Sequence, residues 1–229
     1  MKKLGFSVLL FAVLSHGAQA TTVTASQDSA ITADDGSFWG NYAMGGLQDL
    51  HINPGMTMEG MNAGLVQFDL PDLAGNVVSS ATLMLFHTEN SFAGDVYTIY
   101  RNTEAWDEYS VTGATRPDYD PTPLASITLD ANTHTSRYFD VTEIVQDWYD
   151  GTYANYGFTV QRSYDASGVN ADYSDYIFFA SRENANPAYQ PILYINQPVP
   201  EPETYAMMLV GLALVATWSR QRKICETTS

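Results

Sequence analysis

Eight short stretches rich in Val, Ile, Thr, Tyr and Phe recur down the chain, most of them bounded by Gly, Pro, Asn or Asp. They are 65–70, 81–86, 96–100, 126–129, 138–141, 157–161, 176–180 and 192–195. β-Branched and aromatic side chains are stiff and suit a pleated surface, while the flanking residues turn the chain. Most segments are too short for a stable helix and too numerous for a small sheet. Ala81–Phe86 is apolar at every position but Thr82, as a central strand covered on both faces requires. The pattern predicts an all-β fold, an antiparallel β-sandwich of jelly-roll type. Residues 21–197 are enough chain to close one core.

One segment departs from the two-residue period. Asp140 followed by Glu143 reads as a capping box, and Ile144, Val145 and Trp148 then share a helical face until Gly151. A short helix across one end of the sandwich is expected, with Trp148 as a core anchor.

Charge narrows the function classes. Residues 21–199 hold 5 arginines, no lysine and 23 acids, a formal charge of −18. Such a body repels nucleic acid and anionic lipid. The lone cysteine, Cys225, stands near the C-terminus, so thiol catalysis, Cys-ligated zinc and disulfides are excluded from the body.

The two ends read as addresses. Lys2-Lys3, the apolar run Leu4–Leu14 and the small-x-small triplet Ala18-Gln19-Ala20 make residues 1–20 a secretory signal peptide, cleaved after Ala20. At the other end, residues 198–229 begin with a stiff acidic spacer, Val199-Pro200-Glu201-Pro202-Glu203. An apolar stretch Tyr205–Trp218, expected to be helical, and the basic residues Arg220, Arg222 and Lys223 follow. Its 14 residues fall short of the roughly 20 that a stable span needs. The order of acidic motif, apolar run and basic cluster resembles the PEP-CTERM sorting signal of exported bacterial proteins, with Pro200, Glu201 and Pro202 as its motif. That resemblance implies a transient stay at the inner membrane and cutting by an exosortase.

Within the body, seven motifs stand in order. They are Asn41-Tyr42, residues 66–70, Ser80-Ala81-Thr82-Leu83, Trp106-Asp107-Glu108 with Val111-Thr112, residues 139–148, Asn155-Tyr156-Gly157-Phe158, and Phe179-Ala180-Ser181-Arg182-Glu183. Together they resemble the DNRLRE domain, related to disaggregatase-associated and carbohydrate-binding modules. Gly113 stands where that pattern usually carries Trp. The resemblance implies a β-sandwich module of an exported, polysaccharide-associated protein.

Sugar binding asks for exposed rings that pack against C–H faces and for polar groups that meet hydroxyls. Trp39, Trp106 and the loop tyrosines Tyr149, Tyr153, Tyr156, Tyr164, Tyr173 and Tyr176 supply rings, and Arg182-Glu183 supplies the polar pair. Arg182, Glu183, Trp106 and Tyr156 are the carbohydrate-binding candidates. With so few cations a neutral glycan is easier to bind than an anionic one, unless Arg101, Arg137, Arg162 and Arg182 gather on one face. No cofactor is expected. Ca²⁺ is the one ion the acidic loops suit, with Asp34, Asp35, Asp165 and Asp172 as candidates beside Asp175, although none follows an EF-hand spacing. His51, His87 and His134 lack a metal-binding spacing.

Catalysis has candidates only by number. Asp107 and Glu108, adjacent on an extended chain, point to opposite faces, and Glu104 with Glu108 stand too far apart along a strand for a retaining glycosidase. The expectation is an exported, non-catalytic surface or matrix protein that binds extracellular polysaccharide. Its partners are the Sec export machinery, the exosortase and, through the C-terminal segment, the membrane. Its destination is the cell envelope or the exterior. A polysaccharide-acting enzyme or its subunit, and a purely structural envelope protein, stand as alternatives.

Overall fold

The computed structural model describes residues 20–32, 41–52, 63–89, 94–163, 177–198 and 208–213. Among the described residues, eleven strands form within Ala20–Gln197, one compact unit. They are β1 (Ala20–Thr24), β2 (Gln27–Ile31), β3 (Asp49–Ile52), β4 (Ala63–Gln67), β5 (Ser80–Glu89), β6 (Val96–Arg101), β7 (Ala125–Thr128), β8 (Thr135–Asp140), β9 (Phe158–Ser163), β10 (Ile177–Ala180) and β11 (Ile192–Asn196). A helix, α1 (Thr142–Tyr149), lies between β8 and β9.

All pairings between strands are antiparallel, and they make two sheets. In the first, β5 is central. It pairs with β8 along one edge, and with β11 and then β10 end to end along the other. β1 extends β11, and β3 extends β10. The second sheet runs β2-β4-β9-β6-β7. The rows β3-β10-β5-β8 and β4-β9-β6-β7 are therefore the two sheets of a jelly roll, the chain passing repeatedly from one to the other. The all-β sandwich expected from the sequence is what forms.

The centre of β5 explains its two-sided hydrophobicity. Leu83 and Leu85 face the main core with Phe139, Leu193 and Phe179. Met84 and Phe86 face outward and are buried as well, because Tyr189, Ile192 and Tyr194 cover them. Tyr189 stacks on Phe86 with ring centroids 3.8 Å apart. Five aromatic rings, Phe68, Tyr97, Phe139, Phe158 and Phe179, are fully buried between the sheets.

α1 buries Ile144, Val145 and Trp148, and Trp148 meets Phe158 at 5.0 Å as an anchor should. The helix stops at Gly151, whose φ of 72° suits a residue without a side chain. The start differs from expectation. The N-cap is Val141, with no side-chain cap, and Asp140 sits one residue earlier. Its Oδ1 accepts from the Thr142 N–H and hydroxyl, while Thr142 Oγ1 accepts the Ala81 N–H. The capping box is replaced by a tie between helix and β5.

Outside the sandwich unit, residues 208–213 are helical and exposed. They fall inside the expected apolar helix 205–218, the rest of which lies outside the described residues. Among the described residues no helix is long and apolar enough to cross a membrane, so a transmembrane helix is not supported. The signal peptide up to Gln19, with Ala18, and the motif Pro200-Glu201-Pro202 also lie outside the described residues. Ala20, the last signal residue by the sequence reading, is the first residue of β1, paired with Asn196.

Candidate functional site

β1 and β2 are one stretch of chain that changes sheets at Ala25-Ser26. The Ala25 N–H reaches Pro191 O on the first sheet's side and the Ser26 N–H reaches Gln67 O on the second. The change carries Asp28 inward, where it is fully buried. Two further segments meet it there. The turn at 108–110 delivers Glu108, also buried, and the end of β10 delivers Ser181, Arg182 and Glu183.

The resulting cluster is tightly bonded. Arg182 Nη1 lies 2.8 Å from Glu108 Oε2 and donates to Ser26 O at 2.5 Å, while Nε lies 3.5 Å from Glu183. The Arg182 N–H donates to Asp28 Oδ2 at 2.6 Å, and the Asp28 N–H donates to Glu108 Oε1 at 3.1 Å. Ser181 Oγ donates to Leu47 O, and the Glu183 N–H donates to Ser181 Oγ. Gly45 closes the other side, where a Cβ would fall on the carbonyl and Cγ of Glu108. Only a glycine allows that approach.

One oxygen from each of Asp28, Glu108 and Glu183 lies within 4.8 Å of the others. Among the described residues this is the one set of three or more acids, histidines or cysteines placed closely enough to share a cation. Three carboxylates around one guanidinium cannot all keep their charge in so dry a place. Burial pushes Asp28 up to about 8, with Glu183 and Glu108 adding to the shift. Burial and the Glu108 charge raise Glu183 as well. Tyr109, an exposed neighbour, has its phenol raised by the Glu108 carboxylate. Three oxygen donors match what a hard cation takes, and here the Arg182 guanidinium already supplies positive charge to two of them.

Arg182, Glu183, Trp106 and Tyr156 are the carbohydrate-binding candidates of the sequence. The four are brought to one end of the sandwich, but in two groups. Trp106 is half-buried against Ile31, Ala63, Leu65 and Val111. Its Nε1 donates to the Tyr156 carbonyl at 3.0 Å, and its own carbonyl accepts from Gln27 Nε2. Tyr156 thus joins through its backbone. Gly157, with φ 76° and a Cβ position that would strike Val66 O, lets this loop lie against β4. Two residues that complete the cluster were not read as part of it. Asp28 lay in a segment with no strand signal, and Glu108 was weighed only beside Glu104 and Asp107. Glu104 Oε2 instead accepts the Asp118 N–H at the surface, and Asp107 accepts from Ser110 Oγ. Glu108 sits in a turn rather than on an extended chain.

Each of the four arginines considered for anion binding holds an acid. Arg101 pairs with Asp120, Arg137 with Asp130, Arg162 with Asp95 and Arg182 with Glu108. The calcium candidates Asp34, Asp35, Asp165, Asp172 and Asp175, and the rings of Trp39, Tyr164, Tyr173 and Tyr176, lie outside the described residues. The histidines stay apart from one another: His51 packs edge-on against Phe178, His87 is buried with Nε2 on Glu89 O, and His134 is exposed.

Comparison with known families finds two matches. The model of carbohydrate-binding module family 96 matches residues 19–197. That of the PEP-CTERM protein-sorting motif matches residues 198–223. Among curated proteins none matches the chain.

Proposed function

The chain belongs to carbohydrate-binding module family 96, and from that membership we propose that it is a non-catalytic protein that binds extracellular polysaccharide. The sorting motif implies export to the cell envelope. On the same reading an exosortase cuts the C-terminal segment after a brief stay at the inner membrane. The ordered body motifs support a DNRLRE-type member of the family.

One observation carries the binding reading. Among the described residues of the sandwich, five large hydrophobic side chains remain exposed, and four of them are tyrosines: Tyr42, Tyr109, Tyr138 and Tyr153, beside Val77. A tyrosine offers a flat apolar face for sugar C–H groups and a hydroxyl for their oxygens, with few rotors to freeze. The helical residues Met208, Leu209, Val210 and Leu212 expose apolar side chains outside the sandwich, where the sorting reading puts them against lipid.

The test is retention of the full chain on a panel of insoluble polysaccharides. Saturable retention on at least one, lost when the exposed tyrosines are changed to alanine, supports the reading. A folded chain that none of them retains overturns it. The sorting half is tested separately: replacing Pro200, Glu201 and Pro202 with alanine should leave uncut chain in the membrane fraction, and normal processing of that variant refutes the exosortase step.

A further inference from the structure

A groove of about 760 Å³ opens along the edge of the sandwich where β7, the last strand of one sheet, meets β8, the edge strand of the other. The start of α1 and the residue Tyr153 complete its wall. We infer that this groove is the polysaccharide site and that its ligand is an uncharged glycan chain, laid against the rings of Tyr138 and Tyr153. The inference rests on the reading that the chain binds polysaccharide at all.

Size and furnishing agree. The volume falls within the range of ordinary small-ligand clefts, and two of the four exposed tyrosines line this one groove. Tyr138 is 56% exposed and Tyr153 42%. Tyr138 stands on β8 between buried Phe139 and half-buried Arg137, so the strand's alternation holds it outward. Tyr153 is set from one side: the Arg101 guanidinium lies 4.0 Å from its ring centroid, and Arg101 Nη2 is held by Asp120 at 2.9 Å. The ring is thus oriented before a ligand arrives, which lowers the ordering cost of binding.

Charge selects the ligand class. Four carboxylates line the groove: Asp120, Asp140, Glu143 and Asp147. Its one basic residue is Arg101, already committed to Asp120 and Tyr153. The Thr122 N–H and Arg101 hold Asp120 below the usual carboxylate range, and Thr142 does the same for Asp140, so both keep their charge. A polyuronate or sulfated chain would bring like charge against them, and the groove's own lining offers no second cation to offset it. Sugar hydroxyls, by contrast, are donors to carboxylates, and such bonds are charge-assisted.

A matched pair of ligands tests this. β-1,4-Mannan and β-1,4-polymannuronate oligosaccharides share a backbone and differ at C6, hydroxymethyl against carboxylate. Both are titrated calorimetrically into the full chain, beside uncharged glucan, xylan and chitin oligosaccharides. The expected result is binding of an uncharged chain and rejection of the polymannuronate. Tyr138→Ala and Tyr153→Ala should each weaken that binding about tenfold, with Tyr153→Phe retaining most of it. Glu143→Gln with Asp147→Asn should relax the rejection. Both tyrosines are exposed, so their variants fold, and circular dichroism checks this. Polymannuronate bound as tightly as the uncharged chains overturns the ligand class. Uncharged binding untouched by both alanine variants, or lost instead on Tyr42→Ala or Tyr109→Ala, overturns the groove and leaves polysaccharide binding standing. No binding of either class overturns both readings.

Discussion

Arg182 and Arg101 each stand among carboxylates, and the two places treat those charges in opposite ways. At the head of β2 the acids are enclosed. Asp28 is fully buried, Glu108 nearly so, and burial drives Asp28 up to about 8. In the edge groove the acids meet water, and hydrogen bonds from Thr122 and Thr142 hold Asp120 and Asp140 down. Enclosed charge spends its bonding on the protein itself and joins three distant segments. Open charge keeps its ionisation and shapes what else can approach. The same side chains therefore make a fastening in one region and a selective surface in the other.

If the enclosed cluster is a fastening, removing a member must damage the fold. Glu108→Ala should cost about 3–5 kcal/mol, because Arg182 and the Asp28 N–H are left without their buried acceptor. Urea unfolding followed by circular dichroism measures it. A loss under about 1 kcal/mol, typical of an exposed pair, would show that water reaches the cluster freely. Gly45→Ala comes next, at about 1–3 kcal/mol, since its Cβ must displace the Glu108 backbone rather than a side-chain tip. Unchanged stability in the same assay would mean that the 44–48 loop yields without strain.

The pH dependence separates the regions further. Asp28 keeps its proton in the folded chain to about pH 8, whereas its ordinary value is 3.8. Between those values the folded state binds more protons than the unfolded one, so this group makes stability fall as pH rises. Asp120, Asp140 and Asp130, the last held at about 2, act in the reverse sense and lose their contribution only in acid. Asp28→Asn cannot ionise. It should unfold at higher urea than the parent near pH 8, and the gap should narrow as the pH falls and close near the ordinary carboxylate value of 3.8. A variant less stable than the parent near pH 8 would mean that Asp28 is ionised and bound by Arg182.

These regions were not equally legible in the sequence. All eight segments read as strands form β4 to β11, because each is locally rich in β-branched, aromatic or other apolar residues that suit a pleated surface. β1, β2 and β3 escaped notice for a physical reason. Ala20–Thr24 is mostly threonine, Gln27–Ile31 buries Asp28 and Ser29, and Asp49–Ile52 is four residues long with two titratable groups. Polar residues inside a strand are tolerated only when partners arrive from elsewhere, and those partners, Glu108 and Arg182, lie 80 and 154 residues away. Arg182-Glu183 stood out as a motif, yet its setting depended on a strand the local pattern did not announce. The groove was still less visible. Tyr153 was one ring among many, Tyr138 was read only as part of a strand, and nothing local joins either to Arg101 or Asp120.

The smallest expected effect lies in the groove. Arg101→Ala removes an ion pair whose Asp120 partner is partly exposed and a cation–π contact on an exposed ring. Water and salt replace most of both, so the stability loss should stay within about 1 kcal/mol. Affinity should respond more than stability, because the freed Tyr153 ring must be ordered again each time a chain binds. Measuring urea unfolding and oligosaccharide titration on the same variant sets the two against each other. A large loss of stability would move Arg101 into the class of Arg182, a fastening of the fold. An unchanged affinity would show that the Tyr153 ring needs no support to receive its sugar.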